Sequence, residues 1–445
     1  MRTWIKDPVA TWTGNELQAP NGVIVEDSTI IELVIDEPAS TWDIIHEASD
    51  CVLIPGLINC HHHFFQTLTR ALPVALNKEL FDWLTALYPI WANLTEEAIA
   101  ASTRTALAEL LLSGCTTTSD HHYVFPVGCR QAIDIQAEVA GAMGIRAILT
   151  RGSMSLGKSA GGLPPDEVVQ DAETILRDSE RLIDKYHDSS DGALLQIALA
   201  PCSPFSVTTE LMRDSAQLAR SKGVLLHTHL AETEDENSFC LEMFGRRPLD
   251  HLTEVGWLQD DTWLAHGIHF TQDEINRLGN ANVAISHCPS SNMILSSGIC
   301  PVNDLAQAGC SIGLGVDGSA SNDCSNLMQE VRQAFLIQRL RYGSANFSHE
   351  NALHLATAGG AELFHRRDIG QIAVGLKADL ALFNLNELRF AGTGNPIAAI
   401  VLCGAHQADA VMVNGEWRVK SGELVNADIE QIRAEQKLAA LTLLT

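Results

Sequence analysis

The 445-residue chain contains no uninterrupted apolar run of about 18 residues or more, the length that a membrane-spanning helix needs. Its opening, Met1-Arg2-Thr3-Trp4-Ile5-Lys6-Asp7-Pro8, lacks the apolar core of a signal peptide. Basic residues are scarce. The 29 Lys and Arg stand against 55 Asp and Glu, a formal net charge of −26, whereas gripping a nucleic-acid backbone or an anionic membrane needs the opposite balance. No Cys-x-x-Cys pair occurs among the 11 cysteines, which are odd in number and scattered from Cys51 to Cys403. They read as thiols in a reducing compartment, and none is assigned to a metal. Internal repeats and low-complexity tracts are missing as well. These absences point to a cytoplasmic protein whose partners are small molecules. What is present is 46% hydrophobic residues, enough for a large core, in a length beyond that of the usual single domain.

The first fifty residues hold short alternating runs, Gly22 to Glu26 and Ile30 to Ile35, divided by polar turn residues. The same texture returns at Ala378 to Phe383 and Ala410 to Val419, where Asn414-Gly415 is a strong hairpin signal. The two ends are expected to pack as one small β-sandwich. Between them, short apolar runs alternate with segments of helical period such as Glu97 to Leu112 and Asp171 to Tyr186. Eight candidate strands can be placed: Val52 to Asn59, Thr116 to Asp120, Arg146 to Arg151, Leu194 to Ala200, Val224 to His229, Thr262 to His266, Val283 to His287 and Ile312 to Asp317. Eight such units close a (β/α)₈ TIM-type barrel, for which about 250 residues suffice. The expected organisation is a first part of the sandwich over 1–54, a metal-dependent catalytic barrel over 55–370, and the second part of the sandwich with a C-terminal helix over 371–445.

Polar and ionisable residues collect at the C-terminal ends of these strands, the face on which such a barrel carries its active site. In an extended chain His61 and His63 point to one side and His62 to the other, so two imidazoles can meet one metal. A solvated histidine-rich loop is the bland reading of a lone triplet, and it weakens as further ligands fall on other strand ends. His227 and His229 on the fifth strand share a parity that does not choose between them. Glu232, three residues after His229, can reach a substrate beside a metal and shuttle a proton, which favours His229. Asp317 ends the apolar eighth strand, where a buried acid needs a partner and no Lys stands near. Three His and one Asp form a set that zinc or ferrous iron accepts. His266, on the sixth strand end, is placed to hydrogen-bond the nucleophilic water or Asp317, and His287 is either substrate-facing or a supporting residue.

At these residues the chain resembles the amidohydrolase superfamily, in its branch of purine, pyrimidine, pterin and triazine aminohydrolases. Pro55-Gly56-Leu57-Ile58-Asn59-Cys60-His61-His62-His63 is similar to that family's first-strand motif. His229-x-x-Glu232, His266, Ser286-His287-Cys288-Pro289 and Gly315-Val316-Asp317-Gly318 follow in order. The resemblance implies one divalent metal per chain on His61, His63, His229 and Asp317, with Glu232 handling substrate protons and His266 assisting the water. Binuclear members place a bridging modified Lys at the fourth strand end. Here that strand ends Leu199-Ala200-Pro201-Cys202-Ser203, which favours a mononuclear site. Within the branch, segments such as His63 to Arg70, Asp120 to Tyr123, Thr150 to Gly157 and Ala200 to Ser206 are most similar to the 8-oxoguanine deaminases. Guanine deaminases carry an Arg about where Cys202 falls.

The activity this implies is hydrolytic deamination of an oxidised purine. Other aminohydrolase or chlorohydrolase substrates share the pattern, namely isoxanthopterin, guanine, isocytosine and s-triazines, and a non-catalytic purine- or metal-binding barrel is the reading from another class. Gln66, His122, Arg151 and Ser203 are candidates for substrate contact by their loop positions, and a homo-oligomer is expected from the resemblance.

Overall fold

The computed structural model describes residues 1–14 and 20–445. Eight parallel strands close a barrel in chain order: β1 (Leu57–Asn59), β2 (Cys115–His122), β3 (Arg146–Ser153), β4 (Leu195–Pro201), β5 (Leu226–Leu230), β6 (Thr262–His266), β7 (Ala284–His287) and β8 (Ile312–Leu314). Closure is made where Leu314 pairs with Asn59. The helices between them are started by side-chain caps that the sequence supplies. Thr95 accepts from the Ala98 amide at the head of Glu96–Leu112, and Asp171 from the Thr174 amide at the head of Ala172–Tyr186.

The run expected as one strand over 52–59 is divided. Cys51–Pro55 belongs to a six-stranded sheet outside the barrel, and Leu57–Asn59 begins the barrel. Gly56 allows the transfer because the chain there passes against Thr116, where an added Cβ would lie 2.2 Å from the side chain. The eighth strand stops at Leu314, short of Asp317, whose φ of +62° takes the chain out of extended geometry.

Outside the barrel, Arg2–Lys6, Gly22–Glu26, Thr29–Val34 and Ile44–Glu47 form a four-stranded sheet. The six-stranded sheet joins Ala10–Thr11 and Cys51–Pro55 from the first part of the chain to Leu380–Asn384, Ala410–Val413, Glu416–Lys420 and Glu423–Leu424 from the last. Ile5, Val23, Val25 and Ile30 from one sheet pack on Leu53, Leu380, Leu382 and Met412 from the other, forming the sandwich core expected of the two chain ends. Asn414 (φ +52°) and Gly415 (φ +80°) make the two-residue hairpin turn that their sequence signals. A buried ion pair ties sandwich to barrel. Arg146 of β3 donates through Nε to Asp379 (2.6 Å) and also binds Asn414 and the carbonyls of Gly192 and Ala193.

All eleven cysteines are free thiols. Among the described residues no helix is long and apolar enough to cross a membrane.

Candidate active site

The C-terminal mouth of the barrel gathers His61, His63, His227, His229, His266 and Asp317 into one buried cluster. Their protonation can be traced bond by bond. His63 Nδ1 donates to the His121 carbonyl (2.7 Å) and His229 Nδ1 to the Cys202 carbonyl (2.7 Å). His227 Nδ1 donates to the Trp263 carbonyl (2.9 Å), so its Nε2 is an acceptor and takes the Nδ1 hydrogen of His61 (2.8 Å). All three candidate ligands therefore carry their hydrogen on Nδ1 and present a bare Nε2. His63 and His229 face one another Nε2 to Nε2 at 3.1 Å, and the Nε2 atoms of His61 and His63 each lie 3.3 Å from Asp317 Oδ1.

Burial, and then the neighbouring imidazoles, hold His229 far below the usual imidazole value; burial also lowers His61, against the pull of Asp317. Bare nitrogens converging on a carboxylate repel unless a cation lies between them, and His61 Nε2 is buried without a hydrogen-bond partner. The donor set thus fits a divalent metal of the zinc or ferrous type. His121 joins the same group of close ligand atoms. It stacks on His229 at 4.7 Å and donates through Nε2 to the Ala200 carbonyl, which leaves Nδ1 bare.

The frame that aims these groups is itself buried. Asp120 accepts from the Phe64 amide (2.6 Å) and from Gln136 (2.7 Å), anchoring the loop after His63, and burial pushes its carboxyl up to about 7. The Asp317 amide donates to the His61 carbonyl (3.0 Å). Ala231, His266 and Asp317 all have left-handed backbone, with φ of +55°, +73° and +62°, a local strain that the surrounding hydrogen bonds must hold. An added Cβ at Gly315 would lie 2.8 Å from His61, so β8 can approach β1 only as glycine.

Opposite the imidazoles, Asn292 Nδ2 donates to His266 Nδ1 (2.9 Å), which directs the His266 Nε2–H towards Glu232 (3.5 Å) and Asp317 (3.9 Å). Glu232 also accepts from Ser297 Oγ (3.3 Å). Burial, with Asp317 and Glu236 nearby, raises Glu232 well above the usual carboxylate value, which favours its protonated form. Glu236 braces this turn by accepting from the amides of Ala231 and Glu232 (3.0 Å each).

His63, His229, Glu232, His266 and Asp317 line a cavity that is walled otherwise by Gln66, Tyr123, Cys202, Phe205, Leu295, Ser321 and the helix Leu80–Trp91. Of the four residues expected to contact substrate, the structure brings Gln66 to this wall. His122 lies between Phe65 and Phe125, Arg151 is bound to Asp178 (2.8 Å) and Gln170 (2.8 Å), and Ser203 is paired with Ser206 (2.7 Å). His287 is buried against Gln338 (3.2 Å) and does not line the cavity.

A closed (β/α)₈ barrel with three bare imidazole nitrogens and two buried carboxyl groups at its mouth defines the class of metal-dependent hydrolases. The sequence comparison agrees, since the amidohydrolase family matches residues 52–418. The chain belongs to the amidohydrolase family. It is 57% identical over its whole length to the 8-oxoguanine deaminase of Pseudomonas aeruginosa, of which it covers 99%. It is 32% identical to an isoxanthopterin deaminase from an unknown prokaryotic organism, over 99% of this chain and 97% of that one. In structure it is similar to the atrazine chlorohydrolase of Arthrobacter aurescens TC1 complexed with zinc, at a TM-score of 0.94 and 29% identity over 98% of this chain and all of that one.

Proposed function

We propose that this chain is a hydrolytic deaminase that converts 8-oxoguanine and water to uric acid and ammonia, with residues 55–370 as its catalytic barrel. The observation that carries the reading is the buried pair Glu232 and Asp317, 3.5 and 3.9 Å from the same His266 Nε2 in an aromatic-walled cavity, in a chain 57% identical to an 8-oxoguanine deaminase. His61, His63, His229 and Asp317 are the proposed ligands of one divalent metal, zinc in the first instance, as in the similar chlorohydrolase, with ferrous iron as the other ion this donor set accepts. When bound, such an ion supplies Lewis-acid activation of water near neutral pH.

The protein's own groups then move the protons. Asp317 takes the proton that the attacking water loses. Glu232 gives its proton to the ring nitrogen beside the amino-bearing carbon, so that attack falls on an amidine-like centre. His266 Nε2–H, between Glu232 and Asp317, orients the water. Asp317 then returns its proton to the departing amine, ammonia leaves as the new hydroxyl collapses to a carbonyl, and the hydroxyl proton passes back to Glu232. One water is consumed, one C–O bond forms and one C–N bond breaks.

Gln66 is the proposed contact to the ring. The eleven free thiols support a reducing, cytoplasmic setting, and Ile429, Leu438 and Leu441, exposed on the C-terminal helix, support a homo-oligomer.

The test follows ultraviolet absorbance and ammonia release with 8-oxoguanine, guanine, isoxanthopterin and an amino-triazine side by side. Glu232→Gln is expected to lower turnover with 8-oxoguanine by about 10²- to 10⁴-fold while metal content is kept. Turnover of another ring alone contradicts the substrate assignment, and an active Glu232→Gln contradicts the proton-transfer role.

A further inference from the structure

The helix Leu80–Trp91 roofs the cavity with Leu80, Trp83, Leu84 and Tyr88. Spacing of three and four residues places these side chains on one helical face. Both ends of the helix are pinned by indole N–H groups. Trp83 Nε1 donates to the carbonyl of Ala320 (3.2 Å), in the loop after Asp317, and Trp91 Nε1 donates to Thr69 Oγ1 (3.2 Å), in the segment after His63. The roof is thus fixed to the two loops that carry candidate ligands, and it is a wall of the site with a set position.

Within this apolar wall Tyr88 brings a hydroxyl. The residue is 1% exposed, and its Oη finds no hydrogen-bond partner among the described residues. Buried polar groups are nearly always paired, and an unpaired one costs free energy that a fold retains for a reason. Trp83 and Trp91, on the same helix, both have partners for their indole N–H, so Tyr88 is the exception on this element.

We propose that the Tyr88 hydroxyl is a specificity-determining contact that reads the oxidised five-membered ring of the substrate. The assignment rests on the function proposed above. With the attacked carbon at Asp317 and the adjacent ring nitrogen at Glu232, the six-membered ring is fixed at the floor of the cavity, and the fused ring is left to reach the roof. The edge of that ring in 8-oxoguanine is a cyclic urea, a carbonyl flanked by two N–H groups. A phenolic hydroxyl can donate to the carbonyl and accept from a neighbouring N–H at once. Guanine offers a C–H in place of the carbonyl and so leaves the donor unpaired. A site built around such a hydrogen bond rejects the analogue that lacks it.

The test compares Tyr88→Phe with the parent enzyme on 8-oxoguanine and on isocytosine, the single ring that carries the same reacting amidine but has no fused ring. The expected result is a loss of kcat/KM of about tenfold on 8-oxoguanine, mostly as a raised KM, with isocytosine changed less than about twofold. Thermal unfolding of the ligand-free variant should occur at the same temperature or higher, because the substitution removes an unpaired buried hydroxyl and keeps the ring; a hydroxyl with a structural role would lower it. Equal losses on both rings, or no loss on either, overturn the assignment of Tyr88 while leaving the proposed function intact. A parent enzyme that turns over isocytosine but not 8-oxoguanine overturns the proposed function, and the Tyr88 assignment falls with it.

Discussion

The three imidazoles proposed as ligands are oriented by different kinds of partner, and the difference makes one substitution informative. His63 and His229 are each held by a backbone carbonyl, which no side-chain change removes, whereas the hydrogen on His61 Nδ1 is held by the side chain of His227. His227→Phe keeps a flat ring against Trp263, on which His227 stacks at 4.2 Å and 11°, but deletes the acceptor. The His61 Nδ1–H is then buried and unpaired, a cost of about 1–3 kcal/mol. The ring can avoid that cost by moving its hydrogen to Nε2, which removes the lone pair offered to the metal. Partners of this kind contribute about 10- to 100-fold to metal affinity, or about 1.4–2.7 kcal/mol, in agreement with the cost of the unpaired group. The assay is competition for zinc against a chelator of known affinity, with metal content counted after dialysis. The variant should bind 10- to 100-fold more weakly, a range set by the loss of one such partner, and His227→Gln, whose carbonyl can accept the same hydrogen, should recover part of the loss. Parent-like affinity in His227→Phe would refute the tautomer argument.

Three other outcomes follow from the same geometry. Arg146→Met leaves Asp379 buried without its cation and should destabilise the protein by about 3–5 kcal/mol in chemical denaturation, with activity kept at temperatures where the variant stays folded. Asp134 is held below its ordinary value of 3.8, because hydrogen bonds from Arg181, Lys185 and Tyr186 more than offset its burial. A carboxylate so depressed stabilises the fold fully above its unfolded value and loses that contribution as pH falls through the folded one. Asp134→Asn should therefore lower stability at pH 7 by about 1 kcal/mol, given that Arg181 and Lys185 are half exposed, and the gap to the parent should close as the pH falls below about 4. Removing metal with a chelator should abolish turnover without unfolding the barrel, and zinc or ferrous iron should restore it; turnover that survives complete metal removal would contradict the ligand assignment.

The sequence was most legible where strand periodicity and chemistry coincide. The alternation of His61 and His63 follows from side-chain direction in an extended chain, the carboxylate after an apolar β8 and the His229–Glu232 spacing from their place at strand ends, and the structure gathers all of them at the barrel mouth. His122 and Arg151 were less legible because loop position alone does not say which way a side chain faces. They are register partners on β2 and β3, where His121 faces the imidazole cluster and the next residue, His122, meets Phe65 and Phe125. Arg151, paired with His122, turns to Asp178 of the helix Ala172–Tyr186. The roof was hidden for another reason. Leu80, Trp83, Leu84, Leu87 and Tyr88 are all buried, and such a face reads as ordinary core packing in sequence, although several of these side chains line the site. Gly56 carried a signal that only the register makes clear, since an apolar run from Val52 to Asn59 gives no hint that its two halves join different sheets.

The most direct measurement is a single-turnover comparison of the purified parent enzyme and Glu232→Gln, with metal counted in both and uric acid and ammonia measured from 8-oxoguanine. The account predicts about one metal per chain in both, as one catalytic site requires, equimolar uric acid and ammonia from the parent, and a rate about 10²- to 10⁴-fold lower in the variant. Metal-loaded parent enzyme that releases no ammonia from 8-oxoguanine, or a Glu232→Gln variant as fast as the parent, would contradict it.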